Sequence, residues 1–200
     1  MTRARRDPQQ HRSRETVDRI LRAADEEVGE RGVALSSTTR IAARAGLSVG
    51  ALYRFFPDLD AIVGALAARY LEAATRAYAD AVAQMASLDD LGPVLGELLR
   101  RAAALQLKHP GYYRLTEEVS PERVDSPAHV VREQLVDEFA RALRGAGVTT
   151  PDPELREVLG LCIETVRHAL ARHPAGDPAR DPLLAELQLM IAAYLAARLR

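Results

Sequence analysis

The chain has 200 residues, 48% of them hydrophobic, with no tryptophan and a formal net charge of −1. That apolar share suffices for a buried core, and its weight on Ala, Leu and Val with few β-branched runs favours helix over sheet. No apolar run nears the ~20 residues of a membrane span, and the Arg-rich start lacks a signal peptide's apolar stretch, so a cytoplasmic protein without membrane contact is expected. A single cysteine, Cys162, excludes an internal disulfide framework and a cysteine-based zinc cluster.

The near-zero charge hides an asymmetry. Up to Pro57 the chain carries 11 basic and 7 acidic residues, and beyond it 16 and 21. Much of the positive charge falls at Arg3, Arg5, Arg6, Arg12 and Arg14. Residues 1–13 are expected to form a disordered basic arm, too polar to fold alone and attractive to phosphate. The plainer reading of the arm is a solvated tail.

A first helix is expected from Arg14 to Arg31, with Val17, Ile20, Leu21, Ala24 and Val28 at helical spacing and Gly32 as its left-handed cap. Ser36 and Ser37 offer N-cap oxygens to a short helix ending at Ala45. Ser48 caps another, expected from Val49 to Phe56, stopped by Pro57-Asp58. A longer helix follows, with Ile62, Val63, Leu66, Tyr70, Ala74, Tyr78 and Met85 on one face. Leu91 to Leu105 trace the next, closed by His109-Pro110-Gly111, and a short segment spans 112–119. Val131 to Leu143 mark another helix, ended by Gly145 and Gly147. Two last helices carry the stripes Leu155–Leu170 and Leu183–Leu195, separated by a Pro- and Asp-rich loop over 173–182. The class is all-α.

The two short helices joined by Ala45-Gly46-Leu47-Ser48 have the form of a helix-turn-helix, a unit that presents its second helix to a DNA groove. Gly46 supplies the positive φ of the turn, and Leu47 can join Ile41, Ala42, Leu52 and Phe56 in a small core. Gly50 costs about 1 kcal/mol against Ala inside a helix, so it stands there either for close approach to DNA or for helix packing. Tyr53 and Arg54 bring a hydroxyl and a guanidinium suited to phosphate or guanine, although Tyr53 could equally cover the core and Arg54 be a solvated charge.

The run from Ser37 to Pro57, STTRIAARAGLSVGALYRFFP, resembles the N-terminal domain of the TetR family of transcription regulators. The resemblance covers roughly residues 14–72 and implies a three-helix DNA-binding domain over 14–57, followed by a helical effector-binding and dimerisation domain over 58–200. By position it implies DNA contacts from Ser37, Thr38, Thr39 and Arg40 at the first motif helix, and from Ser48, Val49 and Gly50 at the recognition helix. Tyr53, Arg54 and Phe55 complete the expected face. The family usually has His at position 55 and Lys at position 59, where this chain has Phe55 and Leu59. The backbone grip is therefore expected to lean on the arm and on Arg40, Arg44 and Arg54.

The resemblance further implies a homodimer joined through residues 154–171 and 182–198, bound to a palindromic operator in double-stranded DNA. An unidentified small-molecule effector would release it, with Tyr78, Met85, Tyr112, Tyr113, Glu117, Cys162, Glu164 and His168 as candidate pocket residues. Ligand binding would tilt the Leu59–Met85 helix and change the spacing of the two reading heads. No phosphate-cradling glycine loop, HExxH helix or nucleophile elbow occurs, and the histidines lack ligand spacing, so neither enzyme activity, cofactor nor metal is expected. Two other functions fit the same residues: a helical interaction protein that has lost DNA binding, and an activator.

Overall fold

The computed structural model describes residues 8–82, 84–85, 87–118, 127–173 and 176–199. The described residues form nine α-helices and no strand: α1 (Pro8–Arg31), α2 (Thr38–Arg44), α3 (Val49–Tyr53), α4 (Leu59–Val82), α5 (Leu91–Lys108), α6 (Tyr112–Glu118), α7 (Pro127–Gly145), α8 (Asp152–Arg172) and α9 (Arg180–Arg198). Helix α1 begins at Pro8, so residues 8–13, expected in the arm, are helical. The rest of the expected arm lies outside the described residues.

Local chemistry sets the helix ends. The α1 stripe stops at Gly32, whose φ of 80° is the left-handed cap the sequence calls for. Gly46 and Gly147 sit at φ 65° and 93° after α2 and α7. After α2, Gly46 N–H bonds to the Ala43 carbonyl (3.1 Å) and Leu47 N–H to that of Ala42 (2.9 Å). This pair is a Schellman motif, which satisfies carbonyls left open at the helix end. Helix α3 is shorter than expected: it stops at Tyr53, and the chain turns through Arg54 and Phe55 before Pro57.

Two apolar cores meet inside the molecule. The first joins Ile20, Ala24 and Val28 of α1 to Ile41 and Ala42 of α2, Leu52 of α3, and Ile62, Leu66 and Tyr70 of α4, then continues to Tyr112 and Leu115 of α6. Each fully buried Leu or Ile there stabilises the fold by roughly 1.5–3 kcal/mol. The second gathers Leu99, Val136, Leu143, Leu155, Leu187, Ile191 and Leu195 from α5, α7, α8 and α9. Phe139, Ile163, Val166 and Leu184 touch both. The core under the helix-turn-helix thus runs without a break into the C-terminal helices. Among the described residues no helix is long and apolar enough to cross a membrane.

Candidate nucleic-acid interface and internal cavity

Helix α3 faces outward. Ser48, Gly50, Tyr53 and Arg54 are exposed, while Leu52 on the opposite side is fully buried. Ser48 caps the helix by accepting from Ala51 N–H (3.2 Å), and Ser37 caps α2 by accepting from Arg40 N–H (3.3 Å). Both hydroxyls keep a proton that can be donated outward. The Tyr53 hydroxyl lies 3.1 Å from Thr38 Oγ1, so α2 and α3 offer one continuous hydroxyl surface. Thr39 is exposed beside it, and Arg54 makes no ion pair with any described residue.

Gly50 is informative because of what surrounds it. A Cβ built there meets nothing within 4 Å, so packing inside the chain does not require glycine. Of the two explanations open in the sequence, helix packing is removed. Val49 and Phe55 are half-buried, as Ser37 and Thr38 are, and also pack against the core beneath α3.

The arginines of α2 also take another place. Arg40 Nε donates to Glu27 Oε1 (2.5 Å), and Glu27 is only 1% exposed. Arg44 donates to both Glu30 oxygens (2.9 and 2.6 Å), to Glu27 (3.3 Å) and to Glu26 (3.5 Å). The hydrogen bond from Arg44 holds the Glu30 carboxyl below its ordinary range, and Glu30 in turn raises Arg44. These guanidiniums clamp α2 onto α1 and fix the tilt of the motif. Arg44 is therefore a positioning residue, against the expectation that it grips DNA. Arg40, with 47% of its side chain exposed, still borders the face.

A buried carboxylate ties this domain to the rest. Asp25 of α1 accepts from Tyr70 Oη of α4 (2.6 Å) and Gly111 N–H (2.8 Å), and its other oxygen lies 3.0 Å from His109 Nδ1. Burial, and then the adjacent Asp25 charge, raise the Tyr70 phenol and keep it a proton donor. The turn 109–111 fits closely because it is small: a Cβ on Gly29 would lie 2.8 Å from Pro110 Cβ, and one on Gly111 2.8 Å from the Asp25 carbonyl. In the sequence His109-Pro110-Gly111 reads only as a breaker, and the one local signal of this contact is Asp25, a carboxylate adjoining the apolar stripe of α1.

Between the two cores lies a cavity of about 140 Å³. Its wall is mostly Leu, Val, Ile and Phe from α4, α5, α7, α8 and α9. Tyr78, Met85, Tyr112, Tyr113, Cys162 and Glu164, six of the residues expected there, line it. His168 does not and is exposed, while the Glu117 side chain lies outside the described residues. Arg132 and Arg167, not foreseen, complete the wall. Burial raises the Tyr78 and Tyr113 phenols and pushes the Cys162 thiol up to about 11. Tyr78 is hydrogen-bonded to Tyr113, which donates to the Ala102 carbonyl (3.2 Å). Met85 lies beyond the end of α4, which stops at Val82, but still reaches the cavity. Among the described residues no group of His, Cys, Asp and Glu is arranged to hold a metal ion.

In sequence and in fold the chain is similar to known proteins. Residues 20–66 fit the family model of bacterial regulatory proteins, tetR family. An uncharacterized HTH-type transcriptional regulator of Mycobacterium tuberculosis is 30% identical over 141 residues, which cover 69% of this chain and 72% of the relative. A TetR-family transcriptional regulator from Streptomyces coelicolor shares the fold with a TM-score of 0.66 at 25% identity, over 92% of this chain and 99% of that one. SmeT, the repressor of a multidrug efflux pump in Stenotrophomonas maltophilia, also superposes with a TM-score of 0.66, at 20% identity over 92% and 90% of the two chains. The chain belongs to the TetR family and is a DNA-binding transcriptional regulator.

Proposed function

We propose that the protein is a homodimeric cytoplasmic repressor that leaves a palindromic operator when a small molecule fills the internal cavity. The outward α3 with an empty space around Gly50 carries this reading. Ser37, Thr38, Thr39, Ser48, Tyr53 and Arg54 form its contact face, with Gly50 admitting the duplex closely and Arg40 at the edge. The amides at the leading end of α3 favour a nearby phosphate. One such face makes few contacts, and a two-fold pair supplies the affinity of a specific site.

The pairing surface in this reading is the outer side of α8 and α9. Leu161, Leu189 and Met190 are 56%, 68% and 51% exposed there, while Leu159, Leu187 and Ile191 on the inner side belong to the core. Two copies packed through these helices bury the outer apolar groups in a four-helix bundle. The ligand acts through α4, which carries both Tyr78 of the cavity and Tyr70 of the Asp25 cluster. A change in α4 tilt moves α1 and with it the reading head, and so alters the separation of the two heads in the dimer. By linkage the ligand weakens DNA binding by the factor that DNA weakens ligand binding, typically 1–3 kcal/mol.

The test is selection of bound duplexes from a random pool, followed by gel-shift titration. A palindrome with half-sites about one helical turn apart supports the proposal. A pool with no enriched sequence overturns it.

A further inference from the structure

The charges on the cavity wall are already matched. Arg167 donates to Glu164 Oε2 through Nε (2.9 Å) and Nη2 (2.5 Å). Arg132 bonds Glu133 through Nη1, and its Nε lies 3.5 Å from Glu164 Oε1. Helix α8 seats this arginine: Gly160 is buried there, and a Cβ on it would overlap the Arg132 guanidinium. An ion entering the cavity either parts one of these pairs or holds its own charge away from water without a partner, and both are costly.

The phenols on the wall are committed as well. Tyr113 spends its one proton on the Ala102 carbonyl (3.2 Å), so in the bond between the two phenols Tyr78 is the donor. Burial keeps both protonated. With neither proton left to donate, this pair has nothing to offer an anion, while its oxygens are of the kind that accept from a hydroxyl.

Aromatic rings gather at the same place. Four of the nine aromatic residues of the chain, Tyr78, Tyr112, Tyr113 and Phe139, line the cavity. Tyr112 and Tyr113 meet edge to face with centroids 4.7 Å apart, and the rings of Tyr78 and Phe139 are 6.4 Å apart. A further ring placed among them gains edge and face contacts beyond its buried area. The volume of about 140 Å³ is close to that of an engineered apolar cavity, about 150 Å³, that holds benzene.

Resting on the effector reading above, we infer that the cavity takes an uncharged molecule built on one aromatic ring and refuses the charged forms of the same skeleton.

Benzyl alcohol, cyclohexylmethanol, benzoate and benzylamine each join one ring to one further carbon, and at neutral pH they differ in aromaticity and charge. Their binding to the full-length protein is measured by calorimetry. Cys162, the one thiol of the chain and part of the wall, reports the location through its protection from iodoacetamide. Benzyl alcohol is expected to bind, to slow the alkylation, and to exceed cyclohexylmethanol by about 2- to 12-fold and each ion by about 10-fold or more. Benzoate or benzylamine binding as tightly as the alcohol overturns the assignment. So does a saturated ring that binds as well as the aromatic one, or failure of benzyl alcohol to bind or to shield Cys162. All of these results come from the unaltered protein. None touches the effector reading, which is lost only when a chemically diverse set of compounds releases no DNA.

Discussion

Replacing Gly50 by alanine separates what α3 does for the fold from what it does for DNA. No atom of the chain stands within 4 Å of the added Cβ, and Gly50 is not among the positive-φ glycines, so the methyl enters without clash or backbone strain. Alanine is favoured over glycine in a helix by about 1 kcal/mol, and near the start of a short helix part of that is gained. For a chain of this size, roughly 0.5–1 kcal/mol raises the Tm by about 1–4 °C. The same methyl projects from the face that meets the groove. Disrupting one good base contact costs about 1–3 kcal/mol, or roughly a 5- to 150-fold weaker Kd. Scanning calorimetry and gel-shift titration on the selected operator read the two effects. Opposite signs are predicted. A variant that binds DNA as the parent does, or that loses stability, refutes the reasoning.

Asp25→Ala removes the shared acceptor of Tyr70, Gly111 and His109. Leaving buried donors unpaired costs about 1–3 kcal/mol each and less than additively, so a total of about 3–5 kcal/mol is expected in denaturant unfolding, with Tyr70→Phe costing about 1. Cys162, ordinarily near 9.0 and here pushed to about 11, should alkylate about 100-fold more slowly than a free thiol at pH 7.5, and more slowly still with a cavity ligand bound. Glu30, Glu97 and Asp177 are each held below their ordinary values, Glu30 and Glu97 by hydrogen bonds from Arg44 and from Arg101, Asp177 by one from the Ala179 amide. Such groups stabilise the fold above their unfolded pKa near 4, and that contribution is lost as pH falls through the folded value; urea midpoints should be flat from pH 7 to 5.5 and drop below about 4.5. Deleting residues 2–7 removes Arg3, Arg5 and Arg6. It should weaken binding to all DNA sequences alike and flatten the salt dependence by about one unit of slope for each phosphate no longer neutralised.

The helix-turn-helix was legible in the sequence because its signals are local. Gly46 must take a positive φ, Ser48 must cap, and Leu52 must face in, all within seven positions. The cavity was legible in part, since tyrosine, methionine and cysteine interrupt otherwise aliphatic stripes. Arg132 and Arg167 were not, because a charge on a half-buried helix face looks the same in sequence whether it meets solvent or a cavity. Arg44 points to DNA in the sequence for a similar reason. Its partners, Glu26, Glu27 and Glu30, share one side of α1, and only the α1–α2 crossing brings them together. The Asp25–His109 contact spans 84 positions, and no local pattern encodes it. The ends of α1 and α3 differ from expectation for another cause: a helix start without a strong cap, and a helix end set by the turn before Pro57, leave several stopping points close in energy.

Guanine-N7 methylation interference on the selected operator tests the central claim most directly, because N7 lies only in the major groove. The α3 face predicts interference in two half-sites about 10 base pairs apart on one side of the duplex, abolished together with binding by paired replacement of Tyr53 and Arg54. Interference confined to one half-site, or binding that survives that replacement unchanged, would contradict it.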